Sequence, residues 1–190
     1  MAVPSGKLTA LAVLLWCSAA AAVQQIRSLY TAVDLSLCTA LPGHTAGRLC
    51  KGLPGYPVYV SEGQDGAFLS VGPDADKRLA AQQTLKSFNS LFDSGGQRTT
   101  VEWRFVIRDA QPVPYATIVR YFTRSETGTG EVLVVMRVTD RETCHAAYVD
   151  AAASPDAIVL ARKLADTIAR SEDCPREPMR VTAQEEGRAR

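Results

Sequence analysis

Net charge, histidine and long apolar runs are all scarce in this chain, and each scarcity closes a class of function. Lys and Arg number 21 against 20 Asp and Glu. Setting Lys7 aside with the leader described below leaves 20 of each, so there is no basic stripe to attract nucleic acid or an anionic membrane. The two histidines, His44 and His145, stand alone, and no C-x-x-C or similar pair offers metal-ligand spacing. G-x-S-x-G and H-E-x-x-H are missing, and no S-x-x-K is matched to a second motif. Gly128-Thr129-Gly130 lacks the lysine and following helix of a phosphate loop and reads as a hairpin turn. Asp74-x-Asp76 opens like a calcium loop but lacks the later ligands, so Asp74 reads as a helix cap. These absences leave no catalytic residue, metal or cofactor to name.

What is present begins with a leader. Lys7 precedes an apolar stretch from Leu8 to Cys17 and a small-residue run, Ala19 to Ala22. A basic start, a short apolar core and an A-x-A ending make a secretory signal, so residues 1–22 are expected to be removed on export. The apolar run falls short of the roughly 20 residues that a membrane span needs, and no later run reaches that length. Lipidation at Cys17 would want Gly, Ala or Ser before it, and Trp16 stands there. The expected location is periplasmic or secreted.

Four cysteines then remain: Cys38, Cys50, Cys144 and Cys174. An even count in an exported chain reads as disulfides. Of the three possible pairings, Cys38–Cys50 and Cys144–Cys174 are favoured. The first closes a loop containing Pro42, Gly43 and Gly47. The second ties a strand to the segment just after the last helix.

The pattern along the chain predicts one domain over residues 38–174. It is preceded by an entry segment at 23–37, either a short helix or a mobile entry, and followed by a disordered charged tail at 175–190. Cys38 to Pro57 reads as an irregular bridged loop. Tyr56 to Glu62 and Ala67 to Val71 read as a hairpin. Ala81, Leu85, Phe88 and Phe92 fall on one helical face, predicting a helix from Asp74 to Phe92. Thr100 to Arg108 alternates, with Val101, Trp103, Phe105 and Ile107 on one side. Strands follow at Val113 to Arg124, Glu131 to Thr139 and Thr143 to Val149. Ser154-Pro155 opens a C-terminal helix whose apolar stripe includes Ile158, Leu164 and Ile168, with Arg162 and Asp166 off it. The predicted fold is α+β: an antiparallel β-meander packed by a C-terminal amphipathic helix.

Glu102, Arg104, Arg108, Arg120, Arg124 and Arg137 lie on consecutive predicted strands. They read either as a solvated face with cross-strand ion pairs or as an anion-binding face built on Arg104, Arg120 and Arg137, because guanidinium forks suit carboxylates. Tyr115 and Tyr121 would flank it.

The succession Cys50-Lys-Gly-Leu-Pro-Gly-Tyr56, Val101-Glu-Trp-Arg104, Pro114-Tyr-Ala-Thr-Ile118 and Cys144-His-Ala-Ala-Tyr-Val-Asp150, with Pro155-Asp156-Ala157 before a helix, resembles a family of uncharacterised exported proteins from alphaproteobacteria. The resemblance spans about Cys38 to Cys174. It implies a Gram-negative periplasm and assigns no activity or functional residue. The expected function is a non-catalytic periplasmic binding or protein-interaction module, with a periplasmic protein or a small anionic ligand as partner. The alternative is a small periplasmic hydrolase, or another enzyme, whose site no motif reveals.

Overall fold

The computed structural model describes residues 26–181 except 44, 45, 65, 86, 93–95, 97, 127 and 169–172. The leader, Cys17, His44 and the end of the charged tail lie outside the described residues. Within them run β1 (Arg27–Asp34), β2 (Thr39–Ala40), β3 (Arg48–Leu53), β4 (Tyr56–Gly63), β5 (Gly66–Val71), β6 (Phe88–Ser90), β7 (Arg98–Arg108), β8 (Gln111–Ser125), β9 (Gly128–Val138), β10 (Thr143–Asp150), helix α1 (Ala157–Ile168) and β11 (Met179–Val181).

The meander is present as β7-β8-β9-β10, each strand antiparallel to the next. It forms the centre of a seven-stranded sheet, order β1-β7-β8-β9-β10-β11, with β6 beside the far half of β8. Helix α1 covers one face, where Ala157, Leu160, Ala161 and Ala165 bury against Ala116, Ile118, Leu133, Val135, Ala147 and Val149. The opposite face carries Val101, Trp103, Val119, Tyr121, Val134 and Met136, all essentially fully buried. A sheet that is apolar on both faces needs two covers. The second is a four-stranded sheet, order β2-β3-β4-β5, which brings Val58, Val60, Leu69 and Val71 to that core. The molecule is therefore richer in sheet than a meander closed by a helix. Leu133-Val134-Val135-Met136, a run without polar alternation, is the local trace of a strand buried on both sides.

Four local expectations are corrected. Most of the entry segment is β1, paired with β7 from Arg27↔Phe105 to Asp34↔Arg98. At the sheet edge Leu29 and Tyr30 stay partly exposed, which blurs the apolar signal. The bridged loop contains β2 and β3, and Cys38 is bonded to Cys50. The helix expected from Asp74 to Phe92 does not form. Two short 3₁₀ turns, Ala75–Lys77 and Leu79–Gln82, and then β6 take its place, and Asp74 sits at φ 50° with no capping bond from its side chain. Phe88, on the supposed apolar face, is 55 % exposed, while Leu91 is buried. Tertiary demand decides here: Asn89 accepts from the Ala67 amide at 3.1 Å and donates to Thr84 Oγ1 at 2.7 Å, linking this stretch to β5. Finally, part of the tail is ordered, because Met179–Val181 pairs in parallel with β10. The Cys144–Cys174 bond tethers the chain beside β10, which reduces the entropy lost on closing that pairing.

Helix α1 also differs in detail. Leu160 is buried, whereas Ile158, Leu164 and Ile168 are half-buried against the same cluster. Ile107 is 43 % exposed because it lies near the tip of the β7–β8 hairpin, paired with Pro112 beyond the reach of β9.

Close approach of neighbouring chain requires glycine at position 52. Gly52 lies at the irregularity between Cys50 and Leu53. A Cβ there would collide with the Tyr56 carbonyl oxygen and reach 3.1 Å from the Trp103 ring. Gly52→Ala is expected to cost about 1–3 kcal/mol, as overpacking does, read as a lower urea midpoint at unchanged m. An unchanged midpoint would show that β3 can yield there.

Candidate functional site

Cross-strand register decides which charged side chains meet. Arg104 lies opposite Ala116, Ala116 opposite Arg137, and Arg137 opposite Cys144. Glu102 lies opposite Ile118, and Arg120 opposite Leu133. All of these therefore share the face that α1 covers. From α1, Arg162 and Asp166, one helical turn apart, reach down to it.

Arg104 grips Asp166 with two parallel bonds, Nε to Oδ1 at 2.9 Å and Nη2 to Oδ2 at 2.7 Å. Its Nη1 donates to Ser28 Oγ at 2.6 Å, and Ser28 in turn donates to Glu102 Oε1 at 2.6 Å. Glu102, 4 % exposed, also receives Arg162 through Nε at 2.8 Å and Nη2 at 3.2 Å. Arg162 Nη2 further donates to the Tyr30 hydroxyl at 2.9 Å. Arg162 is thus no outward-facing bystander: it neutralises a buried carboxylate. Arg120 pairs with Glu131. Arg104 and Arg120, both expected to form an anion-binding face, are already engaged by carboxylates.

Tyr115 enters this network through a bulge. The pairing Arg104↔Ala116 is followed by Phe105↔Pro114, so Tyr115 is the extra residue of β8. It packs, like Ala116, into the helix-side cluster. Its hydroxyl donates to Asp166 Oδ1 at 2.7 Å. Burial, then the bond to Asp166, pushes its pKa well above the usual tyrosine value, so it stays a fixed donor. Pro112 and Pro114 are the signal in the sequence, since proline within a strand belongs at edges and bulges.

Beside Tyr115 opens a cleft of ≈ 870 Å³. It exists because β8 pairs with β7 out to Gln111 but with β9 only as far as Ala116. The β7–β8 hairpin consequently projects past the end of β9 as an arm, turned at its tip by Asp109 and Ala110, at φ 48° and 61°. Val106, Arg108, Val113 and Pro114 of the arm line one wall. Arg137, Val138, Thr139 and Asp140 line the other, and Asp166 and Ile168 close the helix side.

Both the far wall and the floor are held in place. Thr139 Oγ1 accepts from the amides of Arg141 and Glu142 at 3.2 and 2.8 Å. Arg78, itself buried, donates to the Asp140 carbonyl at 2.8 Å. The floor at Asp166 is fixed by Arg104 and Tyr115. Arg108 is exposed, and its guanidinium enters no ion pair among the described residues. Arg137 lines this cleft and also a smaller neighbour of ≈ 410 Å³ next to Cys174.

His145 lies elsewhere, in the interior. A bulge at Ala146 puts residues three apart on one face, so His145 Nδ1 lies 2.9 Å from the Tyr148 hydroxyl. Arg180 of β11 stacks over the Tyr148 ring at 4.9 Å. The His145 amide donates to Gln83 Oε1 at 2.7 Å, and Nε2 has no hydrogen-bond partner among the described residues. Burial lowers its pKa to about 4, so the ring is neutral at neutral pH. Cys144 and Cys174 are bonded to each other and present no thiolate. Among the described residues no group of three His, Cys, Asp or Glu side chains could hold a metal ion, and no helix is long and apolar enough to cross a membrane.

No family model, curated protein or solved structure matches the chain.

Proposed function

We propose that this chain is a non-catalytic binding module of an oxidising, exported compartment, the Gram-negative periplasm, and that it seats a small amphipathic molecule in the cleft beside Tyr115. The observation that carries the reading is the cleft itself. Its volume falls in the range of small-molecule sites, apolar side chains dominate the arm wall, and a few polar groups, Arg108, Arg137, Thr139 and Asp166 among them, complete the lining. The bonds at Thr139, Asp140 and Asp166 mean that little ordering remains to be done when a ligand enters, which favours affinity. The leader and the two disulfides support the compartment.

The test uses N-phenylnaphthylamine, a neutral apolar fluorophore. Its emission should rise saturably with one site per chain, and Val113→Trp, which fills the cleft, should abolish the rise while leaving the urea midpoint near wild type. A response that never saturates, or one that Val113→Trp leaves intact, would remove the cleft as the binding site.

A further inference from the structure

Resting on that reading, we infer that the ligand is a monocarboxylate with an apolar body, its carboxylate drawn to Arg108 and its body laid along Val106, Val113 and Pro114. The cleft is chemically divided. Val106, Val113 and Pro114 make an apolar strip along the arm, and Val138 and Ile168 face it. Arg108 lies at the end of that strip near the hairpin tip, and Arg137 adds a second positive group to the opposite wall. Of the two acidic residues of the lining, Asp140 stands on the wall with Arg137 and Asp166 on the helix side. Asp166 is already engaged by the Arg104 fork and the Tyr115 hydroxyl. Tyr115 has spent its proton on that bond, so it offers a ligand its ring rather than a donor. A planar carboxylate matches the guanidinium fork and accepts two bonds at once, while an apolar tail gains by leaving water for the arm wall. A neutral ligand would use only the strip. A small anion without a tail would meet only an exposed arginine, where solvent screens the attraction.

The experiment displaces N-phenylnaphthylamine with phenylbutyrate, phenylbutanol and acetate, on the wild type and on Arg108→Gln. Arg108 is exposed and holds no ion pair among the described residues, so this substitution does not threaten the described fold. Phenylbutyrate is expected to compete about tenfold better than phenylbutanol, the scale of one partly screened charge-assisted bond, and acetate should not compete. In Arg108→Gln the tenfold gap should close, with phenylbutanol unchanged. Equal competition by acid and alcohol in the wild type would overturn the carboxylate assignment and leave the cleft standing as a site for apolar molecules. A gap that persists in Arg108→Gln would overturn the role of Arg108. Failure of the fluorophore to bind in the cleft at all would remove the binding reading and this inference with it.

Discussion

Arg104→Met is expected to destabilise the fold by about 2–3 kcal/mol, somewhat below the cost of breaking a fully buried ion pair, because Asp166 is 30 % exposed and solvent screens part of the interaction. Methionine keeps most of the packing of the arginine stem, so the loss reports the charge. It leaves Asp166 with only the Tyr115 hydroxyl among its described partners and takes a donor from Ser28. Lys163→Ala, on the exposed side of the same helix, should change stability by less than about 0.5 kcal/mol. Urea unfolding of Arg104→Met, Asp166→Asn and the double variant completes a cycle. A large coupling energy is expected; purely additive losses would mean that the fork contributes packing and no pairing. The same network matters to the cleft, since Asp166 and Tyr115 are part of its lining.

A second large effect is expected in acid. The His145 ring has a folded pKa of about 4 against an ordinary value of 6.5, and its cause is burial. Between those values the unfolded chain binds a proton that the native state excludes. Stability therefore rises with pH across this window: it is complete above about pH 6.5 and is lost as pH falls toward 4. A gap of that size corresponds to about 3 kcal/mol. The neighbouring groups deepen the penalty or leave it unchanged: Tyr148, bonded to the ring, is neutral, Gln83, bonded to the His145 amide, is uncharged, and Arg180 over the Tyr148 ring is positive. His145→Gln removes the titration. Urea midpoints from pH 7.5 to 4.5 should fall more steeply for the wild type than for this variant; parallel slopes would mean that His145 is protonated in the native state.

The central strands are legible in the sequence because their side chains are sorted by local alternation. Val101, Trp103 and Phe105 against Glu102 and Arg104 is a period of two that no helix shares. The C-terminal helix is legible for the matching reason, through Ser154-Pro155 and a 3.6-residue stripe. The second sheet is legible only in half: its β4–β5 hairpin shows in Tyr56 to Glu62 and Ala67 to Val71, whereas β2 and β3 are short, bounded by Gly47 and Pro54 and interrupted at Gly52. The stretch from Asp74 to Phe92 has a helical period by coincidence. Its conformation is set by Asn89 and the chain of β5, contacts that leave no mark on local spacing.

The charged face is half legible. Arg104, Arg120 and Arg137 do share one side of the sheet, as alternation within each strand implies. Their partners come from elsewhere: Asp166 lies 62 positions from Arg104, and Arg162 lies 60 from Glu102. The cleft is invisible in the sequence for a related reason. It arises from where β9 stops relative to β8, a matter of register that the bulge at Tyr115 adjusts by one residue, and no composition or motif records it.

The most direct measurement of the account is the position of bound phenylbutyrate, by crystallography of the complex or by intermolecular nuclear Overhauser effects. The ring should lie against Val113 and Pro114, with the carboxylate within ion-pair distance of the Arg108 guanidinium. A ligand ordered at any other surface, or a cleft that stays free of it at saturating concentration, would contradict the account.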